Sequence, residues 1–374
     1  MPLISGHATA AGTKRYAGRF SQLRQHFRSP AGVPVELTLP GIGLGTYLGG
    51  TDEASDRAYT AAIEQALRSG INLLDSAINY RNQRSERNIG AALGKLIGAG
   101  ELQRDEVFVC SKAGYLAFDG DVPPDPRAWL EQEFFATGIV PEEQRNLLLR
   151  SMHCMAPSYL KDQLERSRRN LGLETLDLYY VHNPESELGL IPPAEFVRRI
   201  REAFAFLESA VAEGKIRYYG AATWNGFRVP GGEREHIPLR ALVDAALEVG
   251  GDGHHFRFIQ LPFNLAMPQA YAAKTQIWEG EPMTAMEAAR RAGIAVVTSA
   301  TLFQGQLAEG LPDFVRKRLG MASDAENAIQ FARSAPGVTT ALIGMGRKEH
   351  VEANVAVARQ PLAPEAEWKK LFQR

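Results

Sequence analysis

The chain repeats one pattern, in which an amphipathic helical stretch and a glycine are followed by a short apolar run. AIEQALRSG precedes INLLD, FLESAVAEG precedes KIRYYG, AARRAG precedes IAVVT, and ARSAPG precedes VTTALIG. A glycine directly after a helical stretch is typical of a helix that ends in a left-handed residue. Because the apolar runs are continuous rather than alternating, they indicate strands that are buried on both faces and therefore parallel.

Eight apolar runs predict eight strands, and helical patterns lie between them. Eight strand–helix units are typical of an α/β fold, the (β/α)8 or TIM barrel, which takes about 250 residues plus insertions. The predicted strands are 42–45, 71–74, 107–111, 177–181, 216–219, 257–261, 295–298 and 340–343. The helical patterns include 57–69, 86–97, 158–171, 193–213, 283–292, 324–334 and 348–358.

Two intervals have little helical pattern and are predicted to be long irregular loops. Residues 113–157 and residues 264–282 are rich in prolines, glycines and aromatic residues. Both follow a predicted strand, so we expect them at the carboxyl-end face, where such barrels have their sites. We therefore expect a single barrel domain, 36–374, with an insertion at 113–157 and an ordered N-terminal extension, 1–35, packed on it.

A doubly wound nucleotide-binding sheet is the main architectural alternative. Its only glycine-rich candidate is GIGLGTYLGG at 41–50. This stretch does not present G-x-G-x-x-G in any register, and no helix opens directly after it. The barrel is therefore the better interpretation.

Composition excludes several classes of function. The 374 residues are 45% hydrophobic and 23% charged, with a net charge of −1, so nothing points to nucleic acid or an anionic membrane as partner. No apolar stretch approaches the roughly 20 residues of a membrane helix. The two cysteines, Cys110 and Cys154, have no metal-type spacing and are too few for a disulfide framework. We expect no metal site and a cytoplasmic protein.

Four chemically versatile side chains follow three consecutive predicted strands. Asp75 and Tyr80 follow the second strand, Lys112 the third and His182 the fourth. Each has an ordinary explanation by itself: a helix cap, a packed loop residue, a surface ion pair and a hydrogen-bonded structural histidine. In a barrel, however, the carboxyl ends of different strands converge. Their coincidence favours an active site.

Together these side chains suit the reversible reduction of a carbonyl group. A free tyrosine has a pKa of about 10, and an adjacent lysine ammonium is expected to lower it. Asp75 would keep Lys112 charged, and Tyr80 would exchange a proton with the substrate oxygen. His182 would hydrogen-bond that oxygen and orient it. No side chain can supply hydride, so a nicotinamide cofactor is required.

The sequence resembles the aldo-keto reductases from about residue 40 to about residue 358. Asp75, Tyr80, Lys112 and His182 match the catalytic tetrad of that family. Four further stretches also fit the pattern of that family: GLGTY at 43–47, SERNIGAAL at 85–93, LGLETLDLYYVHNP at 171–184 and GKIRYYGAATWNGF at 214–227. The resemblance implies an oxidoreductase that binds NADPH, less often NADH, across the barrel mouth and reduces an aldehyde, ketone or sugar.

The same resemblance implies how the nicotinamide end would be held, with two departures. Gln260 matches the glutamine that holds the carboxamide. Ala222 and Thr223 stand where the family has a Ser-Asn pair, so one hydroxyl donor is missing. Ser299 stands near the position of a ring-stacking tyrosine, for which Phe303 is a candidate substitute.

The other end of the cofactor is assigned to the turn LIGMGRKEHVEANV, 342–355. A glycine-rich turn that enters a helix can bind an anion through its free amides, and the guanidinium of Arg347 can form two hydrogen bonds with a 2'-phosphate. The alternative is that Arg347 is a solvated charge at a helix start. The implied cofactor-binding residues are Gly45, Thr46, Tyr47, Asp75, Thr223, Gln260, Ser299, Leu302, Gly344, Gly346, Arg347 and Asn354.

The substrate is less clear from the sequence. Trp129, Trp224 and Trp278 are candidate pocket walls. Arg81 and Arg84 either attract an acidic or phosphorylated substrate or pair with Glu86 and other surface acids. Two other functions stay open: an NADP(H)-binding, redox-responsive regulatory subunit with little turnover, and a Schiff-base lyase with Lys112 as nucleophile. The lyase needs a neutral lysine, which a paired Asp75 disfavours. The natural substrate, the physiological direction and the oligomeric state remain open.

Overall fold

Eight parallel strands close into a barrel in the computed structural model, which describes residues 2–23, 25–30 and 32–373. Each strand pairs with its neighbours in sequence, and the eighth pairs with the first. The architecture is the predicted (β/α)8 barrel. The strands are β1 (Ile42–Gly45), β2 (Leu73–Asp75), β3 (Phe108–Ala113), β4 (Leu176–His182), β5 (Ile216–Ala222), β6 (Phe256–Pro262), β7 (Ala295–Ser299) and β8 (Val338–Gly344).

One outer helix follows each strand. Seven of the eight overlap the predicted helical patterns, and the eighth, α5, was not among them. The helices are α1 (Glu53–Arg68), α2 (Arg84–Gly98), α3 (Pro157–Leu171), α4 (Pro193–Ala212), α5 (Leu239–Gly250), α6 (Ala285–Arg291), α7 (Asp324–Ser334) and α8 (Lys348–Ala358). Shorter helices outside this pattern are Ala10–Gly18, Pro126–Leu130, Glu142–Ser151, Gln269–Ala272, Asp313–Leu319 and Glu365–Lys369.

The N-terminal segment packs against the amino-end side of the barrel. Tyr16 in the helix Ala10–Gly18 is fully buried and donates a hydrogen bond from its hydroxyl to the carbonyl oxygen of Leu67 at 2.6 Å. Val35 and Leu37, just before β1, join a buried cluster with inward-facing strand residues such as Phe108. This packing closes one end of the barrel and leaves the carboxyl-end face for a site.

The two intervals predicted to be irregular contain regular structure, so that part of the prediction was wrong. The insertion 113–157 holds the helices Pro126–Leu130 and Glu142–Ser151 around a small core of its own that includes Phe134. The interval 264–282 contains a short helix and most of a hairpin formed by the strands Gln276–Trp278 and Glu281–Met283. Elements this short carry too few turns to show a period in the sequence.

Neither a membrane helix nor a metal cluster is found in the part of the chain that the structure describes. No helix there is long and apolar enough to cross a bilayer. The same residues include no group of three or more His, Cys, Asp and Glu arranged to hold a metal ion.

Candidate active site

A buried ion pair between Lys112 and Asp75 lies at the carboxyl ends of β2 and β3. Lys112 Nζ is 2.5 Å from Asp75 Oδ1, and both side chains are almost fully buried. The same ammonium donates to the carbonyl oxygen of Ser76 at 2.8 Å and to the hydroxyl of Tyr80 at 3.4 Å. Parallel strand ends, and the turn after β2, therefore place both Asp75 and Tyr80 in contact with Lys112.

His182, at the end of β4, completes this group. Its ring lies edge-on to the Tyr80 ring with the centroids 5.7 Å apart. Tyr47 also packs edge-on to Tyr80 with the ring centroids 5.1 Å apart, and Tyr47 is 57% exposed. The four residues that the sequence singled out thus line one site that opens at the barrel mouth.

The electrostatics of the site are dominated by burial. Burial raises the pKa of Tyr80, and Lys112 only opposes that shift. The expected effect of Lys112, to lower the pKa of Tyr80, is therefore present, but burial outweighs it and the pKa lies above its ordinary value. Burial alone would lower the pKa of Lys112, but Asp75 and Tyr80 outweigh it and raise that pKa. Burial, with contributions from Lys112 and His153, lowers the pKa of His182 well below its usual value.

A left-handed turn directly follows Tyr80. Arg81, Asn82 and Gln83 have φ values of 49°, 52° and 71°, a conformation that costs L-residues roughly 1–2 kcal/mol each. The Arg81 guanidinium fixes the turn through hydrogen bonds to Asp56 Oδ1 at 2.6 Å and to the carbonyl oxygen of Gly50 at 2.7 Å.

The carboxylate of Asp56 pairs with both Arg81 and Arg84, whose role the sequence left open. It pairs with Arg81 through one carboxylate oxygen and with Arg84 through the other, at 2.6 and 2.7 Å. Both guanidiniums are thus ion-paired with an acid. The interpretation of these arginines as members of structural ion pairs is confirmed, but the acid named for them was wrong, because Glu86 is buried and bonds Ser111 and Asn170 instead.

The residues assigned to the nicotinamide end surround Asp75. Gln260 on β6 donates from Nε2 to Asp75 Oδ2 at 2.9 Å. Thr46 donates from Oγ1 to the carbonyl oxygen of Asp75 at 3.1 Å, and Gly45 pairs with Asp75 in the sheet register. Thr223 Oγ1 is buried and has no hydrogen-bond partner among the described residues. An unpaired buried hydroxyl is costly unless a ligand satisfies it.

Ser299 is the last residue of β7, and Leu302 lies on the anchored segment that follows it. Thr301 Oγ1 donates to the carbonyl oxygen of Leu342 on β8 at 2.8 Å. Phe303 has a φ of 46°, and it, Ser299 and Leu302 are all half-buried. The segment therefore offers half-buried side chains near the barrel mouth, and no contact identifies which ring would stack on a nicotinamide.

The turn before α8 has the kinds of hydrogen-bond donor expected at an anion-binding site. Gly344 and Arg347 are exposed, and Gly346 lies so close to Tyr59 that an added Cβ would be 3.2 Å from its ring. Arg347 occupies the N-cap of α8 and contacts only the His350 ring, at 3.1 Å, with no carboxylate within ion-pair distance among the described residues. Asn354 is buried about two helical turns further along.

The three candidate tryptophans lie in different environments. Trp224 is 40% exposed, two residues beyond Ala222, which pairs with His182 in the sheet register. Trp129 packs between aromatic rings of the insertion's own core. Trp278 is buried on the outside of the barrel, beneath the guanidinium of Arg240 on α5 at 5.2 Å. Only Trp224 lies beside a tetrad strand end.

Two site residues were missed in the sequence. Tyr115 lies edge-on to His182 with the ring centroids 5.2 Å apart, and its hydroxyl is 2.8 Å from Ser186 Oγ. His153 lies 2.7 Å from the carbonyl oxygen of His182. Tyr115 could have been noticed three residues after Lys112, whereas His153 lies far away at the end of the insertion and carries no such signal.

Comparisons with known proteins agree with this geometry. The family model described as the aldo/keto reductase family matches residues 41–229. The NADH-specific methylglyoxal reductase of Escherichia coli K12 is 30% identical over 226 residues, 57% of this chain and 59% of the relative. The chain spans between half and three fifths of the length of the first curated relatives it matches.

Solved structures show the same fold. An aldo-keto reductase from Bacillus halodurans in its holo form has a TM-score of 0.62 at 18% identity, covering 93% of this chain and 95% of its own. An aldo/keto reductase from Klebsiella pneumoniae in complex with NADP and acetate has a TM-score of 0.58 at 22% identity, covering 91% and 94%. The protein belongs to the aldo/keto reductase family.

Proposed function

We propose that the protein is a nicotinamide-dependent oxidoreductase that reduces an aldehyde, ketone or sugar carbonyl and can run in reverse. One observation carries the proposal: the hydroxyl of Tyr80 lies 3.4 Å from a Lys112 ammonium that is itself paired with buried Asp75, and the His182 ring stands beside that phenol. A proton donor, a charge that stabilises the phenolate and a neutral hydrogen-bond donor thus share one open site.

Each tetrad residue has a distinct role in this proposal. The cofactor, when bound, supplies the hydride that reaches the carbonyl carbon. Tyr80 gives the proton to the carbonyl oxygen, and the charge of Lys112 offsets the cost of leaving a buried phenolate. His182 stays neutral and donates from Nε2, because its Nδ1 is buried without a partner among the described residues. Asp75 keeps Lys112 charged and in place.

The residues that we propose to bind the cofactor are those that the sequence implied. The unpaired hydroxyl of Thr223 and the amide of Gln260 suit a carboxamide, and Gly45, Thr46, Tyr47, Ser299 and Leu302 border that end. The Arg347 guanidinium at the helix start suits a 2'-phosphate, with Gly344, Gly346 and Asn354 around it. A basic residue at a helix N-terminus opposes the helix dipole, which a bound anion would relieve.

NADPH is the preferred cofactor in this proposal, and NADH the second choice. The unpaired Arg347 favours the phosphorylated nucleotide, and the Klebsiella structure contains NADP. The Escherichia coli relative is named as NADH-specific, so the choice rests on Arg347. The substrate is a small carbonyl compound or sugar without a required acidic group, since Arg81 and Arg84 already pair with Asp56, and Arg84 also lies 3.6 Å from Asp121. Cys110 and Cys154 are buried free thiols, which suits the cytoplasm.

A Tyr80→Phe variant tests the proposal. Its carbonyl reduction should fall by about 10²- to 10⁴-fold because the proton donor is gone. Nucleotide binding, followed by tryptophan fluorescence, should change less than about twofold because no positioned cofactor contact is lost. Tyr218→Phe, a half-buried tyrosine packed beside the barrel's interior cluster, serves as control and should keep full turnover.

The possible results separate the candidate functions. Equal turnover in Tyr80→Phe and the wild type would refute the role of Tyr80. Tight nucleotide binding by a wild-type protein that turns over no carbonyl substrate would favour the regulatory subunit instead. Binding of neither nucleotide would refute the whole proposal.

A further inference from the structure

The insertion 113–157 is hydrogen-bonded to the main chain of His182 through the side chain of His153. His153 Nε2 lies 2.7 Å from the carbonyl oxygen of His182, and His153 Nδ1 lies 2.9 Å from Glu187 Oε1. The side chains of His153 and Glu187 have no exposed surface. The His153 side chain, which belongs to the insertion, is therefore hydrogen-bonded both to the 3-10 turn Pro184–Glu187 and to His182, the last residue of β4.

Both neighbours of the His153 ring can only accept hydrogen bonds. A carbonyl oxygen has no proton, and the carboxylate of Glu187 has none when it is ionised. A neutral imidazole carries one N–H and could donate to only one of them. Both hydrogen bonds can form together when His153 is an imidazolium, with a proton on each ring nitrogen.

The acid that contacts His153 favours that state. Glu187 also receives Arg199 at 3.3 Å, but Arg199 pairs more closely with Glu195 at 2.7 Å, and Glu195 binds Arg198 as well. A neutral His153 would leave the fully buried carboxylate of Glu187 with this longer, shared ion pair alone among the described residues, which is costly.

The backbone around the link is packed too closely to permit other side chains. A Cβ on Gly114 would clash with His153 Nε2 and lie 2.6 Å from the carbonyl oxygen of His182. Gly114 and Cys154 are joined by a main-chain hydrogen bond of 2.8 Å. Tyr115 packs its ring against both histidines, with centroids 5.2 and 5.5 Å away. The insertion is thus fixed on His182 by the packing of the Tyr115 ring and by the His153 side chain.

We propose that His153, as an imidazolium paired with Glu187, is a positioning residue that holds His182 in place for its substrate. The effect on turnover rests on the proposed carbonyl reduction. The protonation of His153 does not, because it follows from the geometry of the folded chain alone. In this proposal the insertion supports the catalytic centre by holding one of its residues in position.

The protonation state is tested first, by nitrogen NMR of the protein with 15N-labelled histidine. Both ring nitrogens of His153 should show protonated-type signals at neutral pH, assigned from their loss in His153→Gln or their shift in Glu187→Gln. His26 is the matched reference: it is buried, its Nε2 faces the carbonyl oxygen of Gly70 at 3.1 Å, and its Nδ1 has no partner in the part of the chain that the structure describes. It should show one bare nitrogen. A bare nitrogen on His153 would overturn the proposal.

Kinetics then test the positioning role. His153→Gln and Glu187→Gln should lower kcat roughly 10- to 100-fold, as expected when a reacting group is displaced by about 1 Å. KM and the nucleotide Kd should change less than about twofold, because the surfaces that bind these molecules are intact. His26→Gln, which removes a buried histidine at the other end of the barrel, should keep its kcat. A folded His153→Gln with unchanged kcat would overturn the proposal.

A second route avoids dependence on one variant. Gly114→Ala keeps every polar group and drives a methyl group between His153 and the carbonyl oxygen of His182, so it should give the same loss of kcat with retained nucleotide binding. Unchanged kcat in Gly114→Ala would count against the proposal. If the wild type reduces no carbonyl compound, the proposed function fails while the NMR result still decides the state of His153.

Discussion

Gln260 donates a hydrogen bond from Nε2 to Asp75 Oδ2 at 2.9 Å, while Lys112 binds Oδ1 of the same carboxylate. Both oxygens of this buried acid are therefore held by the barrel. The sequence assigned Gln260 to the cofactor carboxamide, and the structure adds a second task, since Gln260 also fixes the acid that holds Lys112. A change at Gln260 should therefore affect stability as well as nucleotide binding.

Replacing Gln260 with Met removes the donor to Asp75 Oδ2 while keeping a similar volume. The free energy of unfolding should fall by about 1–3 kcal/mol, the usual cost of leaving a buried polar group unpaired. Nucleotide affinity and turnover should fall too. Urea denaturation and fluorescence titration measure these effects.

Gln330→Met is the matched control, because Gln330 is also buried and donates to the carbonyl oxygen of Pro361 at 2.8 Å. It should lose stability and keep nucleotide affinity. If Gln260→Met lost stability but bound nucleotide normally, Gln260 would serve Asp75 alone.

Arg347→Ala should weaken NADPH by roughly 10- to 100-fold, the value of one or two charge-assisted hydrogen bonds, and NADH far less. The difference should shrink as salt is added, because Arg347 is exposed. Fluorescence titration with both nucleotides measures the ratio. Arg359→Ala, which removes an exposed arginine just past the other end of α8, should leave both affinities unchanged. An equal loss for NADPH and NADH would mean that the 2'-phosphate binds elsewhere.

The sequence predicted the parts of the fold that are built from the repeated strand–helix unit, because its strands are buried. Strands buried on both faces have continuous apolar runs, so all eight were found, and with them the strand ends that place Asp75, Lys112 and His182 together. The helices inside 113–157 were missed because five to ten residues, split by a π-helical turn, show no clear period. Contacts between distant segments, such as His153 with His182, leave no pattern in either segment.

The pH dependence of stability should include a contribution from His26. Burial, with smaller effects of Arg333 and Arg28, lowers the pKa of His26 to about 3. The unfolded chain, with a histidine pKa of about 6.5, takes up a proton as the pH falls below that value, and the folded protein does not until about pH 3. The unfolded state thus binds more protons in this window, so stability falls as pH falls, by roughly 2 kcal/mol at pH 5.

His26→Gln removes this group and tests the linkage. The loss of unfolding free energy between pH 7.5 and pH 5, measured by urea denaturation, should be smaller in the variant by about 2 kcal/mol. Comparison with the wild type cancels the contribution of the carboxylates. A variant that loses as much stability as the wild type over this range would show that the pKa of His26 in the fold is close to that in the unfolded chain.

Met152 ends the helix Glu142–Ser151 in a left-handed conformation, with a φ of 55°, and 44% of it is exposed. A left-handed L-residue costs roughly 1–2 kcal/mol, whereas glycine adopts this conformation freely and loses about 0.5–1 kcal/mol more chain entropy on folding. Met152→Gly should therefore raise the free energy of unfolding by about 0.5–1 kcal/mol. Met152→Ala keeps the backbone cost and should give no gain. Destabilisation by both variants alike would mean that side-chain contacts of Met152 outweigh the strain. Since the main-chain hydrogen bond from Leu116 to Met152 at 2.8 Å does not depend on the side chain, Met152→Gly should keep full turnover.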